Sequence, residues 1–193
     1  MERETLRQIR SVESKFTTRD DDGALHIEGY FAVFNSIYQI WDDMSESVAP
    51  GAFTETLGGD VRALIDHETR LVLGRNTAGT LQLREDSHGL WGDILINPDD
   101  QDAMNLYARV QRGDVNQCSF GFDILEEETE FRDDGSVHWT IKKVKLYEVS
   151  VCTFPAYSET SVQARKEDLE AIRTRRAEAY REELRSKLKN GGN

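Results

Sequence analysis

The sequence predicts a mainly β fold of the α+β class: a β-barrel or sandwich with flanking helices and one long helix at the C-terminal end. Three observations predict it. Between residues 11 and 160, Gly and Asp cut the chain into short apolar segments, the punctuation of an all-β architecture. Two Asp-Gly steps separate such segments, where Gly supplies the positive φ that a hairpin turn requires. Helical periodicity is confined to residues 99–110 and to the tail beyond residue 164.

In chain order, strands are expected at residues 11–17 and 25–34, joined through Asp20-Asp21-Asp22-Gly23. Pro50-Gly51 opens a turn, and residues 52–57 are expected to form a short helix. Strands follow at 61–65, 71–73, 80–84 and 90–96. Residues 99–110 read as a helix, with Met104, Leu106, Tyr107 and Val110 on one face, Asp99 or Asp100 as the cap and Gly113 as the stop. Further strands are expected at 116–125, 129–132, 137–144 and 146–153, with Asp133-Asp134-Gly135 turning between the middle two. In the tail, Leu169, Ile172, Ala177, Tyr180, Leu184 and Leu188 recur at helical spacing between charges, and Asn190-Gly191-Gly192 supplies a stop. The chain has no internal repeat and no low-complexity linker.

Charge separates the same two parts. The 193 residues carry a formal −12. Residues 165–189 hold nine basic and six acidic side chains, leaving +3 for the tail and −15 for residues 1–164. The expected organisation is therefore a β domain over 1–164 and a charged amphipathic helix over 165–193, a candidate docking or targeting arm. A chain this long buries about 70% of its unfolded surface, enough for a core without staples. The bulk negative charge disfavours nucleic acid as a partner. No apolar run approaches the roughly 18 residues of a membrane span, and the charged residues 1–10 do not read as a secretory signal. Cys118 and Cys152 lie in apolar runs and are expected to stay reduced.

The four histidines, at 26, 67, 88 and 138, lack the spacing of a zinc site, and no phosphate-binding glycine loop is present. No metal and no cofactor are expected. In Gln117-Cys118-Ser119-Phe120-Gly121-Phe122, strand alternation puts Cys118, Phe120 and Phe122 on one apolar face, with Ser119 and Gly121 opposite. Ser119 is then either an ordinary surface serine or a nucleophile with open space beside it; Cys118, the rival thiol, falls in the core, where it is inert. The same parity sets Glu148 and Ser150 apart from Val149 and Val151. A carboxylate among hydrophobics needs a partner, with Lys143 and Lys145 the local candidates. His67 follows the apolar residues 61–65, in place for a capping role or for chemistry.

Taken together, these segments resemble the prohead maturation proteases of tailed bacteriophages, serine peptidases related in fold to the herpesvirus assemblins. The resemblance runs from about Gly29 to Arg165. It is carried by Gly29-Tyr30-Phe31-Ala32-Val33-Phe34-Asn35, Ala49-Pro50-Gly51-Ala52-Phe53, Ala63-Leu64-Ile65-Asp66-His67 and Val72-Leu73-Gly74-Arg75. It continues through Gly79-Thr80-Leu81, Glu85-Asp86 with Gly89-Leu90, Ser119-Phe120-Gly121-Phe122, Leu146-Tyr147-Glu148-Val149-Ser150 and Thr153-Phe154-Pro155-Ala156-Tyr157. The order of the blocks makes the match specific; the tail lies outside them.

The resemblance implies an assemblin-like, antiparallel-rich β-barrel, closed or partly closed. It implies Ser119 as nucleophile, His67 as general base and Glu148 as the acid that orients it; His138 is the fallback, because the herpesvirus relatives use a second histidine there. The implied substrate is the scaffolding segment of the phage major capsid protein, and the protease itself, within the immature procapsid in the host cytoplasm. The implied partners are that capsid protein and a second copy of the chain, since assemblins dimerise. The alternative is a non-enzymatic capsid-assembly or scaffolding module that keeps the barrel without its chemistry.

Overall fold

The computed structural model describes residues 8–13, 16–154 and 159–190. The chain divides into two units, residues 1–157 and 158–193. In the first, β1 (Gln8–Glu13) precedes a hairpin of β2 (Thr17–Asp21) and β3 (Ala24–Val33). Its turn residues, Asp22 and Gly23, have φ of 53° and 92°, the pair of positive values that matches the twist of paired strands. Next come β4 (Tyr38–Trp41), β5 (Met44–Val48), β6 (Arg62–Ile65) and β7 (Glu68–Arg75). They are followed by β8 (Leu81–Glu85), β9 (Gly89–Leu95), α1 (Gln101–Arg112), β10 (Gln117–Phe131) and β11 (Val137–Cys152).

The strands make two sheets. One is ordered β2-β3-β9-β8; the other runs β1-β10-β11-β5-β4, with β6 also on β11 and β7 on β6. Seven of the nine ladders are antiparallel; β5 and β6 run parallel to β11. β5 pairs with Val137–Ile141 and β6 with residues 148–151, so one long strand organises the larger sheet. Among the described residues the ladders draw two open sheets and no closed ring. The fold is mainly β with few helices, of the α+β class; of the closed or partly closed barrel expected, the closed form is not found among the described residues.

One core joins the sheets. Ile27, Phe31, Leu90 and Ile94 of the smaller sheet belong to the same buried cluster as Phe120, Phe122, Val149 and Val151 of the larger. Phe53 bridges them edge-on to Phe120, with ring centroids 5.4 Å apart. α1 adds Ala103, Leu106, Tyr107 and Val110, with Met104 only partly buried. Asp100 is its cap, accepting from the Asp102 and Ala103 amides at 2.9 and 3.3 Å, and Gly113 closes it at φ 88°.

Three elements differ from expectation. Residues 51–59 form successive turns instead of a short helix: the Thr54, Thr56 and Gly59 amides each bond a carbonyl three residues back. β4 and β5 form in a stretch with no expected element, where Ser45, Glu46 and Ser47 are polar. All three are buried, and each is bonded: Glu46 to Arg10, and Ser45 and Ser47 to His138. β10 and β11 each run unbroken where two segments are expected, taking up the mismatch at register shifts near Gly121 and Glu126.

The second unit is one helix, α2 (Glu159–Asn190), starting ahead of the expected residue 165. In sequence, charged residues stand between its apolar positions throughout. Helix-favouring spacings such as Glu178–Arg181 and Glu182–Arg185 recur. Pro155, Ala156 and Tyr157 of the last family-like block, and the Gly191-Gly192 stop, lie outside the described residues.

Candidate active site

Ile65 and Glu68 are paired across β6 and β7, so Asp66 and His67 form the two-residue turn between them. Their φ values are 47° and 61°. Such turns need positive φ at both central positions and usually take Asn-Gly or Asp-Gly. Histidine there costs of order 1 kcal/mol or more, strain of the kind that collects at functional sites. The turn is held against the end of β11. The Asp66 amide donates to the Val151 carbonyl at 3.1 Å. The Asp66 carboxylate accepts the Thr153 amide at 2.7 Å and its hydroxyl at 3.1 Å.

From this turn His67 Nδ1 lies 2.7 Å from Glu148 Oε1. An ionised carboxylate only accepts, so Nδ1 carries the proton of the neutral ring and Nε2 is left as the base. Glu148 is 1% exposed, and its Oε2 accepts the Ser150 hydroxyl at 2.6 Å. Lys143 and Lys145 are occupied elsewhere: Lys143 bonds Glu55 at 2.8 Å, and Lys145 lies over the Tyr147 ring. Glu148 also lines a cleft of about 320 Å³ with Asp60, Arg62, Leu64, Thr69, Val72 and Tyr147, a lining that does not include His67.

The β10–β11 register opposes Ser119 to Ser150, Gly121 to Glu148 and Gln117 to Cys152. Directly opposed residues point to the same side of a sheet, so Ser119 shares the face that carries Glu148 and Ser150. Cys118, Phe120 and Phe122 are on the core face, fully or almost fully buried, and the Cys118 thiol donates to the Tyr30 carbonyl at 3.1 Å. Ser119 does not stand in open space. β1 pairs along β10 beside it, its side chain is wholly buried, and its hydroxyl donates to the Arg10 carbonyl at 2.8 Å. Arg10 is itself buried and bound to Glu46.

His67 Nε2 faces Cys152 Sγ at 3.8 Å. Burial, and then the Asp66 carboxylate, push that thiol well above its ordinary range, so it is a poor source of thiolate. His138, the fallback third member, lies at the other end of β11, opposite Glu130. It is buried between the Ser45 and Ser47 hydroxyls at 2.8 and 2.9 Å, and burial lowers its pKa. Thus the structure joins His67 to Glu148, sets Ser119 on the same sheet face with its hydroxyl turned to Arg10, and leaves His138 apart. Sequence reasoning missed Cys152 as a neighbour of the imidazole, and Asp66 with Thr153 as the bonded pair that holds its turn. The parity of 148, 150 and 152 was the available signal for Cys152. Among the described residues no group of His, Cys, Asp or Glu has metal-holding geometry.

An imidazole bonded to a buried carboxylate, with a strand serine on the same face, defines a candidate serine-type hydrolase on a mainly β scaffold. The chain belongs to the caudovirus prohead serine protease family, which it matches over residues 12–175. It is 31% identical over 168 residues to the prohead protease of Enterobacteria phage HK97, covering 84% of this chain and 69% of that protein. Its fold is similar to that of the bacteriophage T4 capsid assembly protease gp21, with a TM-score of 0.52 and 11% identity over 76% of this chain and 96% of that one. That second likeness is one of fold alone. Family membership places the chain among capsid maturation proteases.

Proposed function

We propose that the chain is a serine endopeptidase that cleaves the scaffolding segment of the phage major capsid protein, and itself, inside the immature procapsid. The observation that carries the proposal is the line of hydrogen bonds from His67 through Glu148 to Ser150. It sets the ring tautomer and supplies a buried anion for the imidazolium that forms during attack. Ser119 attacks the scissile carbonyl, its proton passing to His67 Nε2 and from there to the leaving amine; water then repeats the cycle on the acyl-enzyme. To enter this cycle the Ser119 hydroxyl exchanges the Arg10 carbonyl for the imidazole, a rearrangement of the kind that resting active sites make on binding substrate.

Co-expression of the cognate capsid protein with wild type and with Ser119→Ala, reading the capsid protein's mass, tests the proposal. The wild type is expected to remove the scaffolding segment and Ser119→Ala to leave it whole, with an unchanged far-UV CD spectrum. In comparable units, losing serine or histidine costs about 10⁶ in turnover and losing the acid roughly 10⁴, so Glu148→Gln is expected to retain more activity than His67→Ala. Processing by pure Ser119→Ala would sink the assignment. The second reading, a non-enzymatic assembly module, is favoured by the burial of Ser119, and predicts uncut capsid protein with both chains.

A further inference from the structure

The imidazole of the proposed base sits at the tip of a two-residue turn, and such a tip is a poor place to fix a ring. Two strained residues in succession, Asp66 and His67 at φ 47° and 61°, have no conformational reason to stay. What holds them is β11. The strand supplies Glu148 to the ring, and then, a few residues on, three bonds to Asp66: its amide to the Val151 carbonyl, and its two carboxylate oxygens to the amide and hydroxyl of Thr153 at 2.7 and 3.1 Å. The ring is thus tied to β11 at Glu148, and the residue before it to Val151 on that strand and to Thr153 just past its end.

We propose that Asp66 is a positioning residue: its carboxylate, clamped on Thr153, holds the turn in the one conformation that aims His67 Nδ1 at Glu148 and Nε2 at the serine side of the sheet. This rests on the protease reading for its kinetic consequence, but not for its geometric one. Asp66 touches no reacting atom. It acts through His67, and its exposure to solvent makes it replaceable without opening the core.

The test uses the full chain. Asp66→Gly adopts positive φ freely but removes both acceptors; Asp66→Asn keeps one oxygen for the Thr153 amide; Thr153→Val removes only the hydroxyl; Thr153→Ser keeps it. Misplacing a catalytic group by about 1 Å costs roughly 10²-fold. Asp66→Gly is therefore expected to lower kcat by about that factor with KM nearly unchanged. Asp66→Asn and Thr153→Ser are expected to stay near wild type, with Thr153→Val between. Independently of activity, the ¹⁵N-edited imidazole spectrum of His67 is expected to show a sharp, downfield Nδ1–H in wild type and an exchange-broadened one in Asp66→Gly. An unchanged His67 spectrum in Asp66→Gly overturns the proposal, whether or not the melting temperature falls. A wild-type chain with no Ser119-dependent cleavage overturns the protease reading instead, and leaves the spectrum to decide the clamp.

Discussion

Two histidines in this protein hold carboxylates at 2.7 Å, His67 with Glu148 and His26 with Asp93, and their surroundings differ. Asp93 also binds the Arg19 guanidinium at 2.8 Å, which neutralises it and makes a structural ion cluster in the smaller sheet. Glu148 accepts the Ser150 hydroxyl at 2.6 Å on its second oxygen, and both it and Ser150 are buried. Cys152, close to His67 Nε2, is the residue whose role the geometry leaves most open to test. Its raised pKa argues for a spectator thiol. Cys152→Ala is expected to process capsid protein within a few-fold of wild type, measured by mass as for Ser119→Ala; loss of processing in Cys152→Ala alone would move the nucleophile to the thiol. His138 carries a pH effect. Burial lowers its folded pKa below the unfolded value near 6.5, so as pH falls below that value the unfolded chain binds the proton first and stability drops. Urea denaturation midpoints between pH 7 and 5 are expected to fall less steeply in His138→Gln than in wild type.

At the scale of elements, the parts that local chemistry writes twice were legible. The Asp22-Gly23 hairpin, the Asp100–Gly113 bounds of α1 and the core parity of Cys118, Phe120 and Phe122 each rest on both a residue type and a period. β5 was not legible, because its buried polar side chains find partners 36 and more than 90 residues away, and no local window holds both ends. The turns at 51–59 were misread as helix for a related reason. Thr56 there gives its hydroxyl oxygen to the Leu146 amide at 2.9 Å, and the Ala52 carbonyl accepts from Val144, so tertiary bonds replace helical ones. Close approach of β3 and β9 makes a sharp prediction. A Cβ at Gly89 would lie 1.9 Å from the Ala32 carbonyl oxygen, a backbone atom that cannot turn away. Gly89→Ala is expected to destabilise by about 1–3 kcal/mol, read as a lower thermal midpoint, with an Ala substitution at exposed Gly58 as the silent control.

For the whole molecule, the two sheets and the helix α2 keep the charge contrast noted in the sequence, −15 over residues 1–164 and +3 over 165–189. We propose that residues 165–193 act as a docking arm that brings the protease to the assembling capsid. Deleting them is expected to reduce encapsidation, scored by protease content of purified procapsids, more than it slows cleavage of capsid protein in solution. Equal incorporation of the truncated chain would count against the arm.

By itself the sequence determined the mainly β class, the family and the identities of His67, Ser119 and Glu148 as the residues to watch. Those depend on residue types at short range and on blocks in a set order. Only the tertiary structure decided that the strands make two open sheets, that Glu148 and not His138 meets His67, that Cys152 faces the ring, and that Ser119 is sealed beside β1 on the Arg10 carbonyl. Each of these is a contact between strands far apart in the chain. Pairing register sets such contacts, and register is chosen by the packing of the whole core, not by any one segment.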